Sequence, residues 1–121
     1  MRRPVHFEIL ADDVEKVADF YREVLDWKIS LWEGPQPYWL VNTGPNGTSG
    51  INGGLMHRHF SQPVINTIEV ESLEEMLTKV EEAGGKKIQG PVEIPEVGLH
   101  AYCQDPEGNI FGLIQPAADE A

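Results

Sequence analysis

The sequence predicts an α+β fold built from two tandem βαβββ modules, which form a curved mixed sheet cup with the helices on the outer side. Two observations lead to this prediction. The halves of the chain open with similar segments, at residues 4–9 and 63–68, and each opening runs into an amphipathic helix. Each helix has a single apolar stripe, which indicates that both helices pack on one side of a sheet.

The first module begins with residues 5–9, which alternate between apolar and polar and therefore predict a strand. Asp12 is placed to cap the following helix, and Glu15 three residues later completes a capping-box pattern. The apolar stripe of this helix recurs at three- and four-residue steps, at Val14, Val17, Ala18, Tyr21, Val24 and Leu25. Further strands or strand-like runs are predicted at residues 27–32, 38–42 and 51–56.

The second module repeats this order. Residues 65–70 predict a strand, and Ser72 with Glu75 forms a second capping-box pattern. The helix stripe consists of Leu73, Met76, Leu77, Val80 and Ala83. Residues 84–85 are both glycine and predict the end of the helix, because glycine tolerates the left-handed conformation found there. The remaining strands are predicted at residues 86–89, 99–104 and 110–115.

The chain has 121 residues, the length of one ordinary domain. We predict a single domain, with module one at about residues 4–57, a linker at residues 58–62 and module two at about residues 63–116. Cys103 is the only cysteine, so no internal disulfide can form, which is typical of a reducing compartment. Its alternating surroundings predict a small buried apolar side chain.

The charge balance excludes some classes of partner. Nine Lys and Arg residues against twenty Asp and Glu residues give a net charge of −11, which argues against binding nucleic acid or an anionic membrane through a basic patch. No apolar stretch is long enough for a signal peptide or a membrane span. We therefore expect a cytoplasmic protein with no nucleic-acid or membrane partner.

The duplicated order, a first strand carrying His6, and the closing hairpin at residues 105–110 together resemble the vicinal oxygen chelate superfamily. This superfamily includes glyoxalase I, bleomycin-resistance proteins and extradiol dioxygenases. The resemblance covers about residues 5–115. The segment at residues 18–27 is similar to the first-module pattern of the family. The run Gly-Ile-Asn-Gly-Gly-Leu-Met at residues 50–56 is similar to that of small glyoxalase-like proteins.

The resemblance implies up to four metal-ligand positions, on the first and last strands of each module. His6 occupies the first position and is a competent ligand. Gly54 and Gly112 occupy the last-strand positions and offer no side chain. The remaining position falls on Ile65, or on Asn66 if the alignment slips by one residue. One imidazole cannot hold a catalytic divalent ion, because such sites normally use three protein ligands. We therefore expect no metal and no other cofactor at the usual place.

Two residues are candidates for catalysis. Glu8 lies two residues from His6 on the same strand face, so the pair could recruit a divalent metal with help from a partner chain or a substrate. Without a metal, His6 is either a histidine satisfied by hydrogen bonds or a general acid or base. Gly54 and Gly112 also allow two interpretations, because they either make room for a ligand or relieve curvature in the sheet.

Aromatic residues of the middle strands have two possible roles. Trp39, His100 and Tyr102 either line a small-molecule pocket or pack in the core or at a subunit interface. Trp39 aligns with His100 when the turn at residues 44–45 is superposed on that at residues 105–106. The residues expected to contact a small molecule are His6, Trp39, Gly54, Asn66, Tyr102 and Gly112.

Three functions follow from these features. The first is a glyoxalase- or bleomycin-resistance-like protein that binds a small molecule in the cup without the usual metal centre. The second is a glyoxalase-type lyase or isomerase, or a dioxygenase-related enzyme, that uses His6 and Glu8 with or without a divalent metal. The third is an interaction module whose cup is filled by side chains. Exposed strand edges and the habit of the family also lead us to expect a homodimer.

Overall fold

The computed structural model describes residues 2–118 and contains two successive βαβββ modules. Module one contains β1 (Pro4–Ala11), α1 (Val14–Leu25), β2 (Lys28–Glu33), β3 (Pro37–Asn42) and β4 (Gly53–His57). Module two contains β5 (Val64–Glu69), α2 (Leu73–Glu82), β6 (Lys86–Ile94), β7 (Gly98–Gln104) and β8 (Ile110–Pro116). The predicted α+β class and the duplicated element order are confirmed.

Contacts divide the chain into two compact units. One unit comprises residues 6–65, and the other comprises residues 66–118 together with residues 2–5. The division falls inside β5, and the first two residues of β1 belong to the second unit. Each unit therefore contains one helix and the larger part of four strands.

The strands of module one form a mixed sheet in the order β2-β3-β4-β1. β1 runs parallel to β4 and pairs Glu8 with Gly54, while β3 runs antiparallel to β4 and pairs Leu40 with the same glycine. One face packs against α1 through a core of Ala11, Val14, Ala18, Ile29, Trp39, Val41 and Leu55. Because side chains alternate along each strand, His6, Glu8 and Tyr38 lie on the opposite, helix-free face.

Module two repeats this arrangement with the strand order β5-β8-β7-β6. Thr67 of β5 and Tyr102 of β7 both pair with Gly112 of β8. The helix-facing core consists of Val70, Leu73, Ala101, Cys103 and Leu113. Cys103 is fully buried there, and its burial raises the pKa of the thiol, which fits the predicted apolar role.

The helix starts agree with the sequence in one module only. Ser72 caps α2 as predicted, with its hydroxyl accepting from the Glu75 backbone N–H at 3.2 Å. The predicted Asp12 cap of α1 is wrong, because Asp13 is the cap and accepts from the Lys16 backbone N–H at 3.1 Å. Asp12 instead pairs with Arg58 at 3.2 Å. With 12 and 10 residues, neither helix of the described chain is long and apolar enough to span a membrane.

One strand is longer than predicted. β6 continues through residues 90–91, a Gly-Pro pair that in the sequence suggests a turn, and it reaches Ile94. Two register irregularities accommodate this pair, between Lys87 and Gln89 and between Gln89 and Val92. Proline is tolerated here because β6 is the outermost strand of its module, where a missing N–H breaks no central ladder.

Candidate functional site

A hydrogen-bonded triad of side chains lies on the helix-free face of module one. The hydroxyl of Tyr38 is 2.7 Å from Nε2 of His6 and 2.9 Å from Oε2 of Glu8. His6 and Glu8 project from β1 two residues apart, and Tyr38 reaches toward both from β3. We refer to these three residues as the triad.

The single hydroxyl proton of Tyr38 determines the direction of these hydrogen bonds. The Tyr38 O–H donates its hydrogen bond to the Glu8 carboxylate, so the Tyr38 oxygen is left to accept a hydrogen bond from His6. His6 therefore carries a proton on Nε2. In the neutral imidazole, Nδ1 then holds the lone pair and is the atom able to take up a further proton.

Burial controls the protonation of His6. Removal of the imidazole from water lowers the pKa of His6 below its ordinary value of 6.5, and the nearby Glu8 charge raises it by a smaller amount. At neutral pH the ring is therefore uncharged. The triad can then donate or accept single protons without first losing a charge on His6.

Gly54 lies directly beneath the Tyr38 side chain of the triad. A Cβ atom at this position would collide with the hydroxyl and ring carbons of Tyr38. The phenol therefore occupies the space that a larger residue would fill, at the point where β4 pairs with Glu8. The room expected at this glycine is taken by a side chain of the protein, and that side chain is polar.

Apolar side chains surround the triad on the same face. The ring of Trp32 packs edge-on against Tyr38 with centroids 6.4 Å apart, and Trp32 is 37% exposed. Leu40, two residues along from Tyr38, is 46% exposed. Glu8 in contrast is only 6% exposed. The face thus combines a buried carboxylate with accessible apolar surface, a composition typical of small-molecule sites.

The residues present do not fit the divalent metal that the family resemblance implies. Within the described chain no group of three His, Cys, Asp or Glu side chains is arranged to hold an ion. His6 directs Nε2 at Tyr38, and Glu8 accepts a hydrogen bond from the Tyr38 hydroxyl. Both candidate ligands are therefore hydrogen-bonded to Tyr38, and Gly54 has no side chain that could ligate an ion.

Module two carries a cluster at the equivalent strand positions, but with different side chains. Thr67, Gly112 and Tyr102 lie side by side on three neighbouring strands. His100, two residues before Tyr102, packs edge-on against its ring at 4.5 Å. Judged by strand pairing, His100 corresponds to Tyr38 of module one, so the predicted match of His100 with Trp39 is shifted by one residue.

Two of the residues expected to contact a small molecule lie elsewhere. Trp39 is in the helix-facing core, 7% exposed, with its indole N–H donating to Glu15 at 2.8 Å. Asn66 is exposed and shares its strand face with Ile68, which packs against the helix-facing core. The structure brings His6, Glu8 and Gly54 together in module one and Tyr102 with Gly112 in module two.

Sequence reasoning missed Tyr38 and Thr67. Tyr38 and Trp39 are adjacent aromatic residues on one strand. They point to opposite faces, and residue type alone does not decide which of them faces the helix. A signal was present nonetheless, because Val41 and Trp39 share one face and the alternation places Tyr38 on the other. Thr67 occupies the position that corresponds to Glu8, and in the sequence it is one polar residue within a short strand.

The solved structures similar to this chain share its fold. The hypothetical protein BH1468 from Bacillus halodurans C-125 is 16% identical, with a TM-score of 0.73 and coverage of 99% of this chain and 98% of that one. Methylmalonyl-CoA epimerase from Mycobacterium tuberculosis is 14% identical, with a TM-score of 0.70 and coverage of 95% and 88%. At such identities the similarity establishes the fold and leaves the activity open.

The sequence comparisons establish the family. A curated protein of Mycobacterium bovis named "Putative glyoxylase CFP32" is 28% identical over 120 residues, which cover 93% of this chain and 44% of that protein. A protein of the same name from Mycobacterium tuberculosis matches equally. This chain thus spans less than half the length of these relatives. The family model matches residues 3–113, and the chain belongs to the Glyoxalase/Bleomycin resistance protein/Dioxygenase superfamily.

Proposed function

We propose that the protein binds a small molecule at the triad, on the helix-free face of module one, without a resident divalent metal. The observation that carries this proposal is the position of the Tyr38 hydroxyl. It lies over Gly54 and forms hydrogen bonds to His6 and Glu8, the two residues best suited to ligate a metal. The family thus keeps its fold here with a hydrogen-bonding site in place of an ion.

The burial of Glu8 supports a binding role. A carboxylate that is 6% exposed costs free energy of desolvation, and an apolar residue there would stabilise the sheet more. Sequences depart from such local rules chiefly at functional sites. The Tyr38 hydrogen bond offsets part of this cost and fixes the carboxylate in place. A rigid polar group of this kind gives a bound molecule a defined orientation.

The exposed apolar side chains support the same proposal. Trp32 and Leu40 lie beside the triad and remain partly open to solvent. Accessible apolar surface next to a few polar groups is characteristic of ligand sites. We infer that the ligand has an apolar part that covers Trp32 and Leu40 and a polar part that meets the triad.

A second candidate function is proton transfer, by a lyase or isomerase of the glyoxalase type. The specific observation is the neutral state of His6 with Nε2–H donated to Tyr38. In this function Nδ1 of His6 takes a proton from a carbon next to a substrate carbonyl. The same nitrogen then returns a proton to the product. The names of the relatives, a glyoxylase by sequence and an epimerase by fold, favour this chemistry as the alternative.

The binding proposal is tested by NMR with small carbonyl, carboxylate and phenolic compounds. The signals observed are the His6 imidazole C–H and the Trp32 indole N–H. We expect compounds that shift both signals in a saturable way. We expect Tyr38→Phe to weaken their binding by roughly tenfold or more, since the hydrogen bonds that fix His6 and Glu8 in place are lost. Tyr21→Phe is the matched control, because Tyr21 lies on α1, away from the triad, and stacks on Trp27.

The binding proposal fails if no compound shifts both signals, or if Tyr38→Phe binds as tightly as the wild type. The second candidate is tested separately in D₂O with hydroxyacetone and with methylmalonyl-CoA. Incorporation of deuterium next to the carbonyl that is lost in His6→Gln would establish proton transfer. Binding without any protein-dependent exchange would leave the protein a binder and rule out the enzyme for these substrates.

A further inference from the structure

Two Asn-Gly pairs lie where β3 is followed by β4, at Asn46-Gly47 and at Asn52-Gly53. An asparagine that precedes a glycine readily loses its side-chain amide, because glycine has no side chain to hinder attack of its backbone nitrogen on the asparagine Cγ atom. Both pairs have the same reactive dipeptide, so the sequence alone gives them the same reactivity. The structure places them in very different surroundings.

The first pair is exposed and free. Asn46 and Gly47 are the central residues of a turn, closed by the Thr48 backbone N–H and hydroxyl, which donate to the Pro45 carbonyl at 3.4 and 2.6 Å. A Cβ atom on Gly47, whose φ is +84°, would meet nothing within 4 Å. Among residues 2–118, neither the Asn46 side chain nor the Gly47 backbone N–H has a hydrogen-bond partner. The two reacting groups can therefore approach each other.

The second pair is held in place. The side-chain oxygen of Asn52 accepts hydrogen bonds from the Thr43 backbone N–H at 2.9 Å and from the Thr43 hydroxyl at 3.3 Å. Gly53 is buried in β4 and pairs with Phe7 of β1 and Val41 of β3. Ring closure between Asn52 and Gly53 therefore requires a local opening of the sheet, which costs free energy.

We propose that Asn46 is a site of spontaneous deamidation in the folded protein and that Asn52 is protected. The Gly47 backbone nitrogen gives its proton to a solvent base and forms a bond to Cγ of Asn46. The Cγ–Nδ2 bond breaks, and the nitrogen leaves as ammonia. Water then opens the resulting succinimide ring at either of its two carbonyl carbons, which yields aspartate or isoaspartate. No atom is oxidised or reduced.

The reaction changes both the charge and the backbone of this loop. Either product adds a carboxylate to a chain that already has a net charge of −11. The isoaspartate product also adds one carbon to the main chain within the turn at residues 45–48. This turn contributes no residue to the triad, so the inference does not depend on the proposed function.

The test compares the two pairs within one peptide. The full chain is incubated at pH 8 and 37 °C, both folded and unfolded in guanidinium chloride, and is then digested with trypsin. No Lys or Arg lies between Lys28 and Arg58, so residues 29–58 are released together with both pairs. Tandem mass spectrometry assigns each gain of about 1 Da to Asn46 or to Asn52, and a zero-time sample corrects for conversion during digestion.

We expect Asn46 to convert at least about tenfold faster than Asn52 in the folded chain, and we expect similar rates for both in guanidinium chloride. Asn46→Gln should abolish the fast conversion and leave the slow one at Asn52 unchanged. Equal rates at Asn46 and Asn52 in the folded chain would overturn the proposal. A difference of the same size in guanidinium chloride would also overturn it, because the flanking sequence and not the fold would then set the rates.

Discussion

Replacing Tyr38 with phenylalanine tests whether the triad is a defined structural element. The substitution removes one oxygen and leaves the ring against Trp32. Two hydrogen bonds are lost, at 2.7 Å to His6 and 2.9 Å to Glu8. Because Glu8 is 6% exposed, water does not easily replace the lost donor.

The expected cost follows from the character of the two bonds. A hydrogen bond to a carboxylate contributes about 1.5–3 kcal/mol and a neutral one about 1 kcal/mol. Allowing for local rearrangement, we expect Tyr38→Phe to lower the free energy of unfolding by about 2–3 kcal/mol. For a chain of 121 residues this corresponds to a fall in Tm of roughly 10 °C.

The assay is urea unfolding at pH 7, followed by circular dichroism. Tyr21→Phe is the control, because the same atom is removed from a residue that stacks on Trp27 within the aromatic cluster of module one. We expect this control to change the free energy of unfolding by less than about 0.5 kcal/mol. If Tyr38→Phe is no more destabilising than Tyr21→Phe, the two hydrogen bonds of Tyr38 do not contribute to the stability of the fold and the triad is not a structural unit.

Three further predictions concern pH, the glycines and the helix cap. Because burial lowers the pKa of His6, the unfolded chain binds more protons than the folded chain just below pH 6.5, so the free energy of unfolding should fall as pH falls through that window. In His6→Gln the dependence of the free energy of unfolding on pH should become weaker, as measured by urea melts between pH 5 and 8. An unchanged pH dependence would contradict the lowered pKa of His6. Gly54→Ala should cost about 2–3 kcal/mol because its Cβ would overlap the Tyr38 ring. Gly112→Ala should cost about 1 kcal/mol, because its Cβ would stand 2.9 Å from the nearest side-chain atoms and these need to move only slightly. The reverse order would contradict the packing described. Asp13→Ala should cost about 1 kcal/mol through loss of the cap, while Asp12→Ala should cost less than about 0.5 kcal/mol, and similar melts for the two would restore Asp12 as the cap.

The fold was predictable because its signals are local. Alternation in the strands and apolar stripes in the helices identified both modules, and glycine after α2 marked the end of that helix. The errors arose where two local signals compete. Asp12 and Asp13 are both good caps by residue type, and the choice is made by tertiary structure, in which Asp12 pairs with Arg58 while Asp13 accepts from the Lys16 backbone N–H.

The candidate site was only partly predictable, because it depends on how neighbouring strands pair. His6 and Glu8 were found because both lie on one strand at a two-residue spacing. The role of Tyr38 depends on which face of β3 it occupies and on its pairing across β4, and neither is fixed by local sequence. The meaning of Gly54 depends on the same pairing, since the space above the glycine is filled by a side chain from another strand.

The metal content of the purified protein distinguishes a hydrogen-bonded triad from a metal site. Cells would be grown with added nickel, zinc, iron and manganese, and the protein would be purified without chelators and analysed by mass spectrometry for each metal. We expect no stoichiometric ion, because His6 and Glu8 are both hydrogen-bonded to Tyr38 and Gly54 adds no ligand. One bound ion per chain that disappears in His6→Ala would contradict this expectation.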